Sequence, residues 1–88
     1  MEAEYNNEHA RCEEFVATDE TACVGVPGAS NRENCVLACV SRTCFDRVFQ
    51  LEPLEEGQHD RVRADRYKEC AKRDLRKRLK KRQRAGEL

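Results

Sequence analysis

Tryptophan is absent from this chain, methionine occurs once, and three Phe and two Tyr are its whole aromatic complement. Eighty-eight residues so poor in large apolar side chains cannot be stabilised comfortably by core burial alone, which excludes a large ligand-enclosing core and calls for cross-links. The longest apolar run is the six residues Cys35–Val40, whereas a membrane span needs about 18 or more, so no spanning helix is expected. Met1 to Val16 opens without positive charge and without an apolar stretch, so it reads neither as a secretory signal nor as an Arg-rich, acid-poor presequence. The four glycines, Gly25, Gly28, Gly57 and Gly86, are scattered and build no phosphate-binding loop. No Cys-x2-Cys pair occurs, which removes the usual zinc knuckle and the dithiol redox motif together. The two histidines, His9 and His59, fall at expected segment ends. No metal, cofactor or catalytic residue is therefore expected. The carboxylate pairs Glu13-Glu14 and Glu55-Glu56 read as solvated surface, and the chain reads as a non-enzyme.

Cysteine is what the chain has in excess: Cys12, Cys23, Cys35, Cys39, Cys44 and Cys70, an even set. Disulfides are the expected use, at roughly 2–4 kcal/mol each, and an even count leaves no thiol for nucleophilic chemistry. Disulfides imply an oxidising space: the mitochondrial intermembrane space, the secretory pathway or a periplasm.

A net charge of zero hides a sharp division. Residues 1–34 carry eight acids against two bases, residues 35–60 five against two, and residues 61–88 thirteen bases against four acids. The C-terminal third is thus +9 against −9 for the rest. Such asymmetry means that one part folds on another or that the basic end meets an acidic partner.

Helical signals account for most of the chain. Ser30-Asn31-Arg32-Glu33 follows Pro27-Gly28 and reads as a capping box that opens a central helix over 30–50. On a helical wheel Cys35 and Cys39 share one face and Cys44 falls on roughly the opposite one. The Pro53-Leu54-Glu55-Glu56-Gly57 turn (51–58) leads into a second helix over 59–85, whose sparse apolar stripe is Tyr67, Cys70, Ala71, Leu75 and Leu79. Residues 3–17 can form a short helix in the acidic segment 1–29, with Thr18-Asp19 capping a further turn near Cys23. The expected fold is all-α: one small domain, a disulfide-stapled antiparallel helical hairpin with a short N-terminal helical segment and a projecting basic C-terminal helix. If one unbroken helix faces the next, positions 39 and 70 lie opposite, so Cys39–Cys70 is the favoured staple and Cys35–Cys70 its one-turn alternative. Cys44 would then bridge back to the N-terminal segment. The other pairings stay open.

The residues Glu33-Asn34-Cys35, Cys39, Ser41, Cys44-Phe45, Pro53-Leu54-Glu55-Glu56-Gly57 and Cys70 resemble a family of small eukaryotic cysteine-rich proteins of undefined function, over about residues 30–75. A looser resemblance is to the coiled-coil-helix-coiled-coil-helix proteins of the intermembrane space, which implies a hairpin held by two disulfides. Only Cys35-x3-Cys39 matches their paired spacing, and the partner helix offers Cys70 alone. Neither resemblance implies catalytic residues.

Nine of the thirteen residues from Lys72 to Arg84 are Lys or Arg. Like charges at four-residue spacing repel, so this tract is expected to meet anions, through Arg73, Arg76, Lys77, Lys80, Lys81, Arg82 and Arg84. An acidic protein surface, anionic lipid head groups and nucleic-acid phosphates are the candidates; the poverty of aromatics speaks against base stacking and the thin apolar stripe against a membrane-surface helix. The expectation is a non-catalytic accessory subunit within a larger protein complex, a mitochondrial respiratory-chain assembly and most plausibly complex I, facing the intermembrane space. A mature secreted or endoplasmic-reticulum binding protein, or an organellar nucleic-acid-associated protein as on a mitochondrial ribosome, are the alternatives.

Overall fold

Acids at the start of a helix favour its positive end, and the chain enters its first helix, α1 (Glu2–Thr18), through Glu2 and Glu4. Pairs one turn apart line its solvent side, His9 with Glu13 and Arg11 with Glu8. Tyr5 and Cys12 face inward. Beyond Thr18 the chain turns on Asp19, whose carboxylate accepts bonds from the Thr21 amide (2.8 Å) and hydroxyl (2.6 Å) and is held below its usual pKa by them. The computed structural model describes residues 2–55 and 60–86. Within them lie three further helices, α2 (Arg32–Val40), α3 (Arg42–Phe49) and α4 (Arg61–Gly86), and no strand. At 26 residues α4 is about 39 Å long, close to the 44 Å longest extent of the molecule.

Helix α2 starts one residue later than the capping box implied. Asn31, not Ser30, is the N-cap, its side chain accepting from the Glu33 amide at 3.1 Å. The Asn31 amide group also donates to Leu54 O (3.2 Å). The same carbonyl takes a bond from Asn34 Nδ2 (2.9 Å), and the Leu54 amide donates back to Asn34 Oδ1 (3.0 Å). Asn34 Nδ2 further donates to Gly28 O (3.0 Å), so this fully buried amide ties two loops to α2. Gly28 has φ +69°, and a Cβ there would lie 2.5 Å from Pro53 Cβ and 2.6 Å from Asn34 Nδ2; only glycine fits.

The expected single central helix is two. Ser41 is extended (φ −153°, ψ 103°) and serves at once as the C-cap of α2 and the N-cap of α3, its hydroxyl accepting from the Cys44 amide at 3.3 Å. Side chains of α4 hold the break. Arg78 donates to Val40 O (2.7 Å), one of the carbonyls α2 leaves open, and Asp74 accepts from the Ser41 hydroxyl (2.8 Å) while lying 3.4 Å from Arg78. Two turns before Asp74, Tyr67 Oη donates to Leu37 O (2.6 Å), which also receives the Ser41 amide (3.1 Å). Burial holds the Tyr67 phenol well above its usual pKa.

That break decides the disulfides. They are Cys12–Cys39, Cys23–Cys35 and Cys44–Cys70. Neither Cys39–Cys70 nor Cys35–Cys70 forms, and Cys44 does not return to the N-terminal segment. The wheel that set Cys44 opposite Cys39 assumed one straight helix; with the axis redirected at Ser41, Cys44 turns toward α4, and Cys35 and Cys39 remain with the N-terminal half. The two-disulfide hairpin of the looser resemblance is absent, since the α3–α4 hairpin has one bridge and α2 is tied to α1 and the turns after it. The all-α, disulfide-stapled hairpin itself is present, with Phe45, Phe49, Tyr67, Ala71 and Leu75 buried between α3 and α4. Of the turn over 51–58, Glu56, Gly57 and Gln58 lie outside the described residues.

Candidate docking face on the C-terminal helix

Asp60 opens α4: its carboxylate accepts from the Arg63 amide (3.0 Å) and guanidinium (2.7 Å), which lower its pKa. Arg63 also stacks over the Phe49 ring (4.9 Å) and donates to Glu52 O (2.6 Å), so the start of α4 is bound to the loop before it. The helix then divides its residues by face. At about 100° per residue, Tyr67, Ala71 and Leu75 point into the core, with the half-buried Asp74 and the exposed Arg78 on the same side reaching the α2–α3 break, while Lys68 and Lys72 turn toward α1, where both pair with Glu2. The two ammonium groups pull the Glu2 carboxyl down to a pKa of about 2, and Glu2 raises that of Lys72.

Arg73, Arg76, Lys77, Lys80 and Lys81 occupy the remaining arc, roughly 140° wide and opposite the core side. All five are exposed, and none forms an ion pair among the described residues. The side chains of Arg82 and Arg84 lie outside the described residues. Arg66 was not expected to belong to the face but shares it, exposed and seven residues before Arg73; helical period, rather than local density of charge, is the signal that finds it. Two bases of the tract play a different part. Lys72 binds Glu2, and Arg78 closes the end of α2.

Elsewhere the chemistry is sparse. A cleft of about 830 Å³ is lined by residues that include Tyr5, His9, Glu33, Leu54, Asp65 and Tyr67. Both its phenols are raised in pKa by burial, that of Tyr67 is bonded to Leu37 O, and His9 Nδ1 lies 2.9 Å from Glu13 Oε1, so among the described residues no activated nucleophile stands beside a base there. All six cysteines are in disulfides, and among the described residues no cluster of His, Cys, Asp and Glu is arranged to hold a metal. No helix among the described residues is long and apolar enough to cross a membrane.

The family model described as Domain of unknown function (DUF4787) matches residues 2–70. The chain belongs to this family. No curated protein and no solved structure matches it. The DUF4787 match takes in every cysteine, the Asn34 clamp and Ser41, and stops at Cys70. The cationic face from Arg73 onward therefore lies beyond the matched residues, on a helix whose first part the DUF4787 region supplies and anchors.

Proposed function

We propose that this protein is a non-catalytic binding subunit that docks on an acidic protein surface through the outer face of α4. The observation that carries the reading is the set of five cations, Arg73, Arg76, Lys77, Lys80 and Lys81, gathered on one exposed arc with no ion-pair partner among the described residues. Their mutual repulsion is unfavourable in the isolated chain and is relieved by a complementary anionic surface. The helix that presents them is stiffened at its root by Cys44–Cys70 and Arg78, so the face is preorganised. The three disulfides suit an oxidising compartment. Within this proposal the larger assembly is a respiratory-chain complex facing the intermembrane space, with a place in the secretory pathway as the other reading that disulfides support.

Truncation after Leu75 is a poor test, because it removes Arg78 from Val40 O and Asp74 and loosens the fold. Replacing Arg76, Lys77, Lys80 and Lys81 by Gln removes charge without touching that node. The tagged variant should melt as the parent does yet be lost from the native complex recovered from solubilised membranes, and should associate more slowly with a flatter salt dependence. Equal recovery of variant and parent refutes docking through this face.

A further inference from the structure

The exposed arc of α4 does not begin at Arg66. Within the same arc, four residues earlier and about 40° round, stands Val62, 66% exposed in the first turn. Leu51 is 95% exposed, and its neighbour Glu52 accepts the Arg63 guanidinium through its carbonyl, which fixes the Leu51 segment within one arginine side chain of that turn. Single exposed apolar residues are ordinary. Here two stand near the foot of a cationic strip, one on the helix and one on a loop bound to its first turn, ahead of bases that extend over the 19 residues from Val62 to Lys80, about 27 Å of helix.

From this juxtaposition we infer that Leu51 and Val62 are the apolar anchor of the docking face, and that its occupant is an acidic helix or ridge of a protein carrying an apolar side chain at one end. The inference rests on the docking reading and specifies its partner. Charge complementarity selects an anionic surface, and three features select protein among anionic surfaces. The apolar residues sit at one end of the strip rather than along it, so the helix cannot lie lengthwise in a bilayer interface. Phosphates gain nothing from Leu51 or Val62. Glu69 stands within the strip, exposed, where a uniform array of phosphates or anionic head groups would repel it and a protein surface can offer it a base. Desolvated apolar anchors govern how long such a complex lasts, and surrounding charges govern how fast it forms.

The test uses the full-length oxidised protein and two synthetic helical peptides. Both carry a row of glutamates on one face, and one has two leucines in place of glutamates at one end of that row. Vesicles of phosphatidylcholine and phosphatidylserine in equal parts and a single-stranded RNA oligonucleotide serve as rival ligands. The leucine-bearing peptide should bind about tenfold more tightly, mainly through slower dissociation, and Leu51→Ser with Val62→Ser should abolish that advantage while leaving the salt dependence intact. The Gln variant of Arg76, Lys77, Lys80 and Lys81 should weaken both peptides alike. Equal binding of the two peptides, with no effect of the serine substitutions, overturns the anchor and leaves docking through the cations standing. Failure of both peptides at low salt, with or without binding of vesicles or RNA, overturns the protein occupant and the docking reading together.

Discussion

Ser41→Ala tests whether α4 holds the α2–α3 break. The substitution removes an N-cap, which is worth about 1 kcal/mol, and deletes the hydroxyl that donates to Asp74 at 2.8 Å, a bond to a charged group worth about 1.5–3 kcal/mol. Ser41 is 3% exposed, so water cannot readily replace either partner. Asp74 keeps Arg78 at 3.4 Å and is one-third exposed, which recovers part of the second contribution. The expected loss is about 2–3 kcal/mol, read as a lower urea midpoint at unchanged m in the oxidised protein. Asp74→Asn and the double variant complete a cycle whose coupling energy should reach about 1 kcal/mol. A Ser41→Ala midpoint within error of the parent, or additive double-variant losses, would refute the argument that this node sets the break. Ser30→Ala is the internal control and should change nothing, because Asn31 is the cap.

Cys44→Ser and Cys70→Ser should each lower stability by about 3.5 kcal/mol for loss of a bridge spanning 26 residues, and the double variant should be no worse than either; a non-reducing digest that links Cys39 to Cys70 would contradict the pairing. Gly28→Ala should cost about 2 kcal/mol or more, since its Cβ meets Pro53 and Asn34 and its φ is left-handed; an unchanged melting temperature would show that the two loops are not clamped. Glu2 has a folded pKa of about 2 against an ordinary 4.5, so its pairs with Lys68 and Lys72 stabilise the fold fully above pH 4.5 and progressively less as pH falls toward 2. Melting curves of the parent and Glu2→Gln should therefore differ at neutral pH and converge in that acid window; a constant gap would refute the pairing.

Much of the architecture was legible because it is local. The helix expected over 3–17 is Glu2–Thr18 and that over 59–85 is Arg61–Gly86; of the expected stripe Tyr67, Ala71 and Leu75 are buried and Cys70 is partly buried, whereas Leu79, a turn beyond the core, is exposed. The bases of the tract were legible as a run, but their sorting was less so: Arg66 shares their face by helical period, while Lys72 and Arg78 are drawn to Glu2 and Val40 O by tertiary contacts. The break at Ser41 was not legible. Serine in an apolar run carries no strong stop signal, and what makes it a double cap are Asp74 and Arg78, 33 and 37 positions further along. The disulfide partners followed from that break and were lost with it. Asn34 was equally opaque, since its use depends on Gly28 and Leu54 arriving beside it.

The order of the cysteines also bears on how the chain comes into being. Loop 23–35 is nested inside loop 12–39, and loop 44–70 begins only after both are closed, so no bridge interleaves with another. Nothing has to thread through a ring already formed. The four cysteines of the first two bridges all precede Cys44 in the chain. The two bridges of the N-terminal half can thus close independently of α4, and the remaining one, Cys44 with Cys70, needs only the helix that carries the docking face.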